Sequence, residues 1–394
     1  MVFSLLVSCT GKENPNEKPG PSEEPSGKEW SFGTGVCRQN LFWLKNSSGA
    51  AASMEEQKAM LEDIASTGCK NIRLVLANKN VLNDVVEHIK CANSLGMKVT
   101  LMINFSGNGA FYPAGTQALP RVIKNWSSYP LSKLNLKLYE EQMRSALEKF
   151  KENGCSIDVI EVGNEPAWCA FNGDFPVGGR GVIYGDKYGW GDLPSGVAVG
   201  LRKLGSACAV TKSLVAEILG ADSGTKVIFG GINGADTAQW RSWCLSNGGT
   251  LLKPERLIML LKGTLPGQPE TETDNLLEGM DGLGIHMYPQ PRYLPTNTEG
   301  MISDAINYID DFVGPVAEQT DLPLHVTEMG IRYTLCGWEN DHHRLTMFQC
   351  FFDAMEELKD KYNWHDILVY GWDHDDFALY KDGKFSYTAQ HLFK

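Results

Sequence analysis

Several chemistries are missing from this 394-residue sequence, and each absence removes a class of function. No Cys-x-x-Cys pair occurs, so a structural zinc site has no support. Neither G-x-G-x-x-G nor G-x-x-x-x-G-K-[ST] follows the first strand-like segment, which disfavours nucleotide binding. There is no Lys/Arg cluster, and the net charge of −12 disfavours nucleic acid and anionic membrane surfaces as partners. No His/Asp ligand set falls at the ends of the strand-like segments, so a metal-dependent hydrolase is disfavoured and no cofactor is expected. The opening nine residues, MVFSLLVSC, are apolar but too short to span a bilayer, and they lack a basic n-region.

What is present suits a monomer handling neutral ligands. A hydrophobic fraction of 42% supports a large core, and ten Trp, thirteen Tyr and sixteen Phe can pack it or stack on flat apolar ligand faces. Leu6-Val7-Ser8-Cys9 resembles a bacterial lipoprotein box with Cys9 as the lipidated residue. After it, Thr10–Lys28 has no aliphatic residue and reads as a flexible tether. The expected organisation is a partial signal over 1–9, a polar tether over 10–29 and a folded unit over 30–394. It would be attached to the bacterial cell envelope by lipid alone, on the outer-membrane surface or the periplasmic side. Nine other cysteines remain, an odd number, so at least one is unpaired. Cys69, Cys91, Cys155 and Cys208 sit in apolar patterns as small hydrophobes. Cys169 and Cys336 are either a disulfide across a cleft mouth or two free thiols.

Strand-like and helix-like segments alternate along the chain, the pattern of a parallel sheet covered by helices. Strands are predicted at Phe32–Cys37, Asn71–Leu76, Lys98–Asn104, Asp158–Gly163, Lys226–Gly230, Asp281–His286, Leu324–Thr327 and Asp366–Gly371. Helices are predicted at Met54–Thr67, Val81–Ser94, Lys133–Glu152, Ser195–Leu219, Asp236–Lys262 in two pieces, Ile302–Gln319 and Asp341–Tyr362. Eight strands with seven intervening helical segments predict a single (β/α)8 TIM barrel rather than a six-stranded open sheet.

The fourth predicted strand opens DVIEVGNEP, in which Val159, Ile160 and Val162 drive into the polar tip Asn164-Glu165-Pro166. The seventh, HVTEMG, ends the same way at Glu328. These strands place both carboxylates at the C-terminal face of a barrel, where its chemistry is done. Two facing carboxylates are what glycoside cleavage needs, one to protonate the leaving oxygen and one to attack the anomeric carbon. Their environments must hold one neutral and the other ionised.

NEP on the fourth strand, Glu on the seventh, HMYP on the sixth and Trp on the eighth together resemble clan A of the glycoside hydrolases, nearest by pattern to families 5 and 39. The resemblance implies a retaining enzyme acting on a β-glycosidic bond of a polysaccharide or oligosaccharide, with endo action. It implies Glu165 as acid/base, Glu328 as nucleophile and Asn164 as partner of the sugar 2-hydroxyl. Arg73 would support the nucleophile, Tyr288 would hydrogen-bond it, His286 would line the −1 subsite and Trp372 would floor it. A fixed cation beside Glu328 favours its ionised form. Family 5 has a His near the end of the third strand where this chain has Asn104. Of the loop aromatics Phe111, Tyr112, Trp126, Trp168, Trp190, Tyr293 and Trp338, only Trp168 and Trp338 directly follow the catalytic strands, so these two are the expected further sugar contacts. Asp373, Asp375 and Asp376 read as a solvated acidic loop and His342-His343 as a helix start. The competing reading is a non-catalytic glycan-binding lipoprotein on the same barrel; it calls for a missing carboxylate, and both are present.

Overall fold

Why the chain closes into a ring follows from its strands, each a short apolar run buried on both faces, as parallel strands under helices must be. The computed structural model describes residues 30–122, 126–185, 193–233, 238–267, 273–291 and 297–394, without the side chains of 238–240 and 375. Cys9 and the tether, Trp190 and Tyr293 lie outside the described residues.

The strands are β1 (Gly33–Cys37), β2 (Asn71–Leu76), β3 (Lys98–Ile103), β4 (Val159–Val162), β5 (Lys226–Ile232), β6 (Gly282–Met287), β7 (Leu324–Met329) and β8 (Trp364–Tyr370). They form one closed parallel barrel in chain order, with β8 paired back onto β1 from Gly33↔Asp366 to Cys37↔Tyr370. The (β/α)8 prediction therefore holds, with strand limits shifted by up to two residues.

Helices α1 (Met54–Ser66), α2 (Leu82–Ser94), α3 (Leu136–Glu152), α4 (Ser195–Leu214), α5 (Ala238–Ser246), α6 (Pro254–Leu261), α7 (Thr298–Ala317) and α8 (Asp341–Glu357) cover the ring, and α9 (Tyr387–His391) ends the chain. Helix α1 starts at a full capping box: Ser53 accepts from the Glu56 N–H, and the Glu56 carboxylate accepts from the Ser53 N–H. Such a cap stabilises a helix by about 1 kcal/mol. Helix α3 buries Tyr139, Met143, Ala146, Leu147 and Phe150, a stripe at helical spacing turned to the sheet.

Two irregularities shape the C-terminal end of the barrel. In β7, Ile285 pairs with Val326 and His286 with Glu328, leaving Thr327 as an extra residue. In β5, Phe229 pairs with Leu283 and Ile232 with Ile285, so Gly230 and Gly231 together oppose Gly284. Bulges of this kind re-aim side chains beside active sites.

The loop after β4 folds back into a three-residue strand (Val182–Tyr184) that pairs with Thr250–Leu252. Arg121, on the loop after β3, donates to the carbonyls of Cys169, Asn172 and Phe175, so both long loops are held as one wall. Cys169 and Cys336 are both free. The Cys169 sulfur accepts from the Thr250 N–H, and the Cys336 thiol faces the Tyr333 carbonyl. No described helix is long and apolar enough to cross a membrane.

Candidate active site

A charged residue inside a buried strand needs a partner, and the barrel interior holds three such residues close together. Arg73 on β2, Glu161 on β4 and Glu328 on β7 are all buried. The Arg73 fork uses each of its arms. Nε lies 2.5 Å from Glu161 Oε2, Nη1 2.6 Å from Glu328 Oε1, and Nη2 donates to Asn164 Oδ1 at 2.9 Å. Burial alone would push the guanidinium pKa down, but Glu161 and Glu328 raise it well above the ordinary Arg value. Arg73 is a fixed cation.

Glu328 also accepts from the Tyr288 hydroxyl and from Gln39 Nε2, so donors from β2 and from the segments just after β6 and β1 converge on it. Burial pushes its carboxyl above the ordinary Glu value, while Arg73 and the Tyr288 hydroxyl pull it back. Cys37 completes this wall with its sulfur 3.4 Å from Arg73 Nη1, and burial pushes its thiol up to about 12, so it stays protonated.

Glu165 follows β4 at the turn Gly163-Asn164-Glu165-Pro166. Its φ of 45° lies in the left-handed region, which a Glu adopts only under constraint. Gly163, with φ of 104°, precedes it, and the Glu165 carbonyl accepts from the Trp168 N–H at 3.1 Å. Together these fix the carboxylate over the barrel. His286 Nδ1 stands 2.9 Å from Glu165 Oε1 and 3.4 Å from Glu328 Oε2. Burial, with Arg73 nearby, holds the His286 pKa well below its ordinary value, so the ring is neutral and adds no second cation. Within this trio the facing oxygens of Glu165 and Glu328 are no more than 4.8 Å apart.

The structure thus brings together Glu165, Glu328, Asn164, Arg73, His286 and Tyr288. Trp372 is a correction. It has no exposed surface, stacks on Tyr380 at 6.2 Å and packs against Phe385, so it offers no ring face to a sugar. Gly371, at φ of 92°, turns the chain away after β8. The ring facing the site from β8 is Tyr370, which pairs with inward-facing Cys37 and meets Tyr288 edge-on at 5.6 Å.

Asn104 forms the turn after β3, accepting from the Ser106 hydroxyl at 2.9 Å. Trp168 is buried against Phe171, and Trp338 packs edge-on against Tyr333. Phe111 and Tyr112 are likewise loop core. Asp373 is not simply solvated, since it pairs with Arg38 at 2.6 Å.

Three participants escaped the sequence reading: Glu161, Gln39 and Tyr370. Glu161 carried a usable signal, a carboxylate in the middle of the buried run Val159–Val162.

Among the described residues two His/carboxylate groups do gather, contrary to expectation. One is Glu165, His286 and Glu328; the other is His325, His365 and Asp366 at the opposite end of the barrel. Neither suits a metal. The guanidinium of Arg73 occupies one face of Glu328, while Lys226 Nζ stands 2.5 Å from His365 Nε2 and both imidazoles already turn Nδ1 to the Asp366 carboxylate, at 3.0 and 3.6 Å.

The family model of glycosyl hydrolase family 53 matches residues 55–171, a span that includes Arg73, Asn164 and Glu165; the nearest families expected from the motifs were 5 and 39. No curated protein matches. Among solved structures, a β-glucosidase from Exiguobacterium marinum superimposes with TM-score 0.58 at 13% identity, covering 93% of this chain and 97% of that one. A β-glucosidase from Thermotoga maritima in complex with castanospermine gives 0.55 at 12%, covering 92% and 96%. A structure described as two fungal β-1,4-galactanases gives 0.50 at 12%, covering 92% and 99%. At such identities the likeness is one of fold.

Proposed function

We propose that the protein is a retaining glycoside hydrolase that cleaves β-glycosidic bonds inside a polysaccharide. The observation that carries this is the pair Glu165 and Glu328, with facing oxygens within 4.8 Å. Retaining enzymes hold their carboxyl groups roughly 5–5.5 Å apart, whereas inverting ones leave about 6.5–9.5 Å for a water.

In the first step Glu328 attacks the anomeric carbon. The glycosidic C–O bond breaks, and Glu165 gives its proton to the departing oxygen. In the second step Glu165 takes a proton from water as that water attacks the anomeric carbon, and the ester bond to Glu328 breaks. Arg73, Tyr288 and Gln39 hold Glu328 in line. Because Asn164 Oδ1 is committed to Arg73, its amide is oriented with Nδ2 available to a sugar hydroxyl. Neutral His286 holds Glu165 without competing with Arg73 for Glu328.

The family 53 match and the galactanase likeness make a β-linked galactan the first polymer to test, with β-glucan second. Replacing Glu328 by Ala is expected to abolish hydrolysis of aryl β-glycosides, and azide to restore turnover by taking the place of the lost carboxylate. Wild-type turnover in that variant would refute the assignment.

A further inference from the structure

Arg73 serves two site groups at once from a fully buried position, the Glu328 carboxylate through Nη1 and the Asn164 amide oxygen through Nη2. An arginine fork presents its donors rigidly, so fixing one arm fixes the others. The arm that no reacting group uses, Nε, is held by Glu161 at 2.5 Å.

Considerable structure converges on that third carboxylate. The Thr327 hydroxyl, turned inward at the β7 bulge, donates to Glu161 Oε1 at 2.7 Å. Gly230 and Gly284 make room for it: a Cβ at the first would lie 2.4 Å from Glu161 Cγ, and at the second 2.6 Å from Oε1. Four strands, β2, β5, β6 and β7, therefore supply a socket for a β4 side chain with no exposed surface. On the preceding reading of the site, Glu161 does no chemistry of its own.

We propose that Glu161 is a positioning residue that pins Arg73, so that one guanidinium aligns Glu328 and Asn164 throughout the two-step reaction. The covalent intermediate supplies the reason for a charge there. When Glu328 becomes an ester it loses its charge, and Arg73 would be left as an unpaired cation in the barrel core, which is strongly unfavourable. Glu161 keeps the cation paired in every state. In the free enzyme the same charge opposes ionisation of Glu328, as any nearby like charge must.

Glu161→Gln can still accept from Arg73 Nε while its amide donates to Thr327, so the socket stays filled and only the charge is lost. With an aryl β-glycoside, its acid limb of kcat/KM is expected about one pH unit below that of the wild type. Its kcat is expected to fall at least about tenfold, with KM changed by less than about threefold. Glu161→Asp keeps the charge but shortens the reach, so kcat should fall while the acid limb stays in place. A folded Glu161→Gln variant with wild-type kcat and acid limb would overturn the proposal. Should that variant not fold, Thr327→Val removes only the hydroxyl, and an unchanged kcat in it would overturn the proposal instead. Absence of any wild-type turnover sinks the glycosidase reading along with this one; wild-type turnover with unmoved variants sinks this one alone.

Discussion

At the scale of single residues, the site separates its carboxylates by giving them different neighbours. Glu328 is buried among donors from Arg73, Tyr288 and Gln39, while Glu165 sits on a constrained turn beside a neutral imidazole. Because burial lifts the Glu328 carboxyl above its ordinary value of 4.5, activity has a defined sign with pH. A nucleophile must be ionised, so kcat/KM should fall as pH drops through a midpoint above 4.5. That limb reports the free enzyme. A pH profile with its acid midpoint below 4 would contradict this. Asn164, Glu165, His286, Tyr288 and Glu328 were legible because each stands in a short motif at a strand end, whereas Arg73, inside β2, was reached only through the family resemblance. Glu161 and Gln39 were not read, since neither stands at the tip of a motif and their partners lie far off in sequence.

At the scale of elements, the strand ends decide which side chains reach the mouth. The extra residue in β7 turns Thr327 and Glu328 both toward the interior, which simple alternation along a strand forbids. Nothing in HVTEMG announces that bulge. The end of β8 misled in the opposite direction. A Trp after a strand matches the motif, but the positive φ of Gly371 sends Trp372 into the core and leaves Tyr370 facing the site. Replacing Trp372 by Ala should therefore destabilise the fold by about 3–5 kcal/mol, the usual cost of truncating a buried Trp. The KM of the folded fraction should stay within about twofold of wild type. A tenfold rise in KM without loss of thermal stability would return Trp372 to the sugar site.

At the scale of the whole molecule, alternation of apolar runs with amphipathic stretches was enough to find the barrel, because every strand of a parallel barrel must be apolar on both faces. The long loops were legible only as loops. Their anchoring depends on pairings such as Val182 with Thr250 and on Arg121 gathering three distant carbonyls, which no local pattern encodes.

Stability should also depend on pH through groups far from the mouth. His88, buried on α2 and donating to Gln57 of α1 at 2.7 Å, is held down to about 4 by burial, against an ordinary value of 6.5. The unfolded chain thus takes up that proton first. Its contribution is fully present above pH 6.5 and is lost as pH falls toward 4, amounting to roughly 3 kcal/mol. Burial works against Asp366, but His325 and His365 overcome it and hold the carboxyl below its ordinary value, so a further loss of the same sign follows in stronger acid. Denaturant melts at pH 7 and pH 4.5 should show the first loss in the wild type and a smaller one in His88→Gln. Equal losses in both proteins would remove His88 from the account.

The central claim is a covalent intermediate on Glu328. Incubation with the 2,4-dinitrophenyl 2-deoxy-2-fluoro-β-glycoside of a sugar the enzyme hydrolyses, followed by peptide mass spectrometry, tests it most directly. One fluoroglycosyl group per chain on the peptide that contains Glu328 is the expected result. A label on another residue, or inactivation with no added mass, would contradict it.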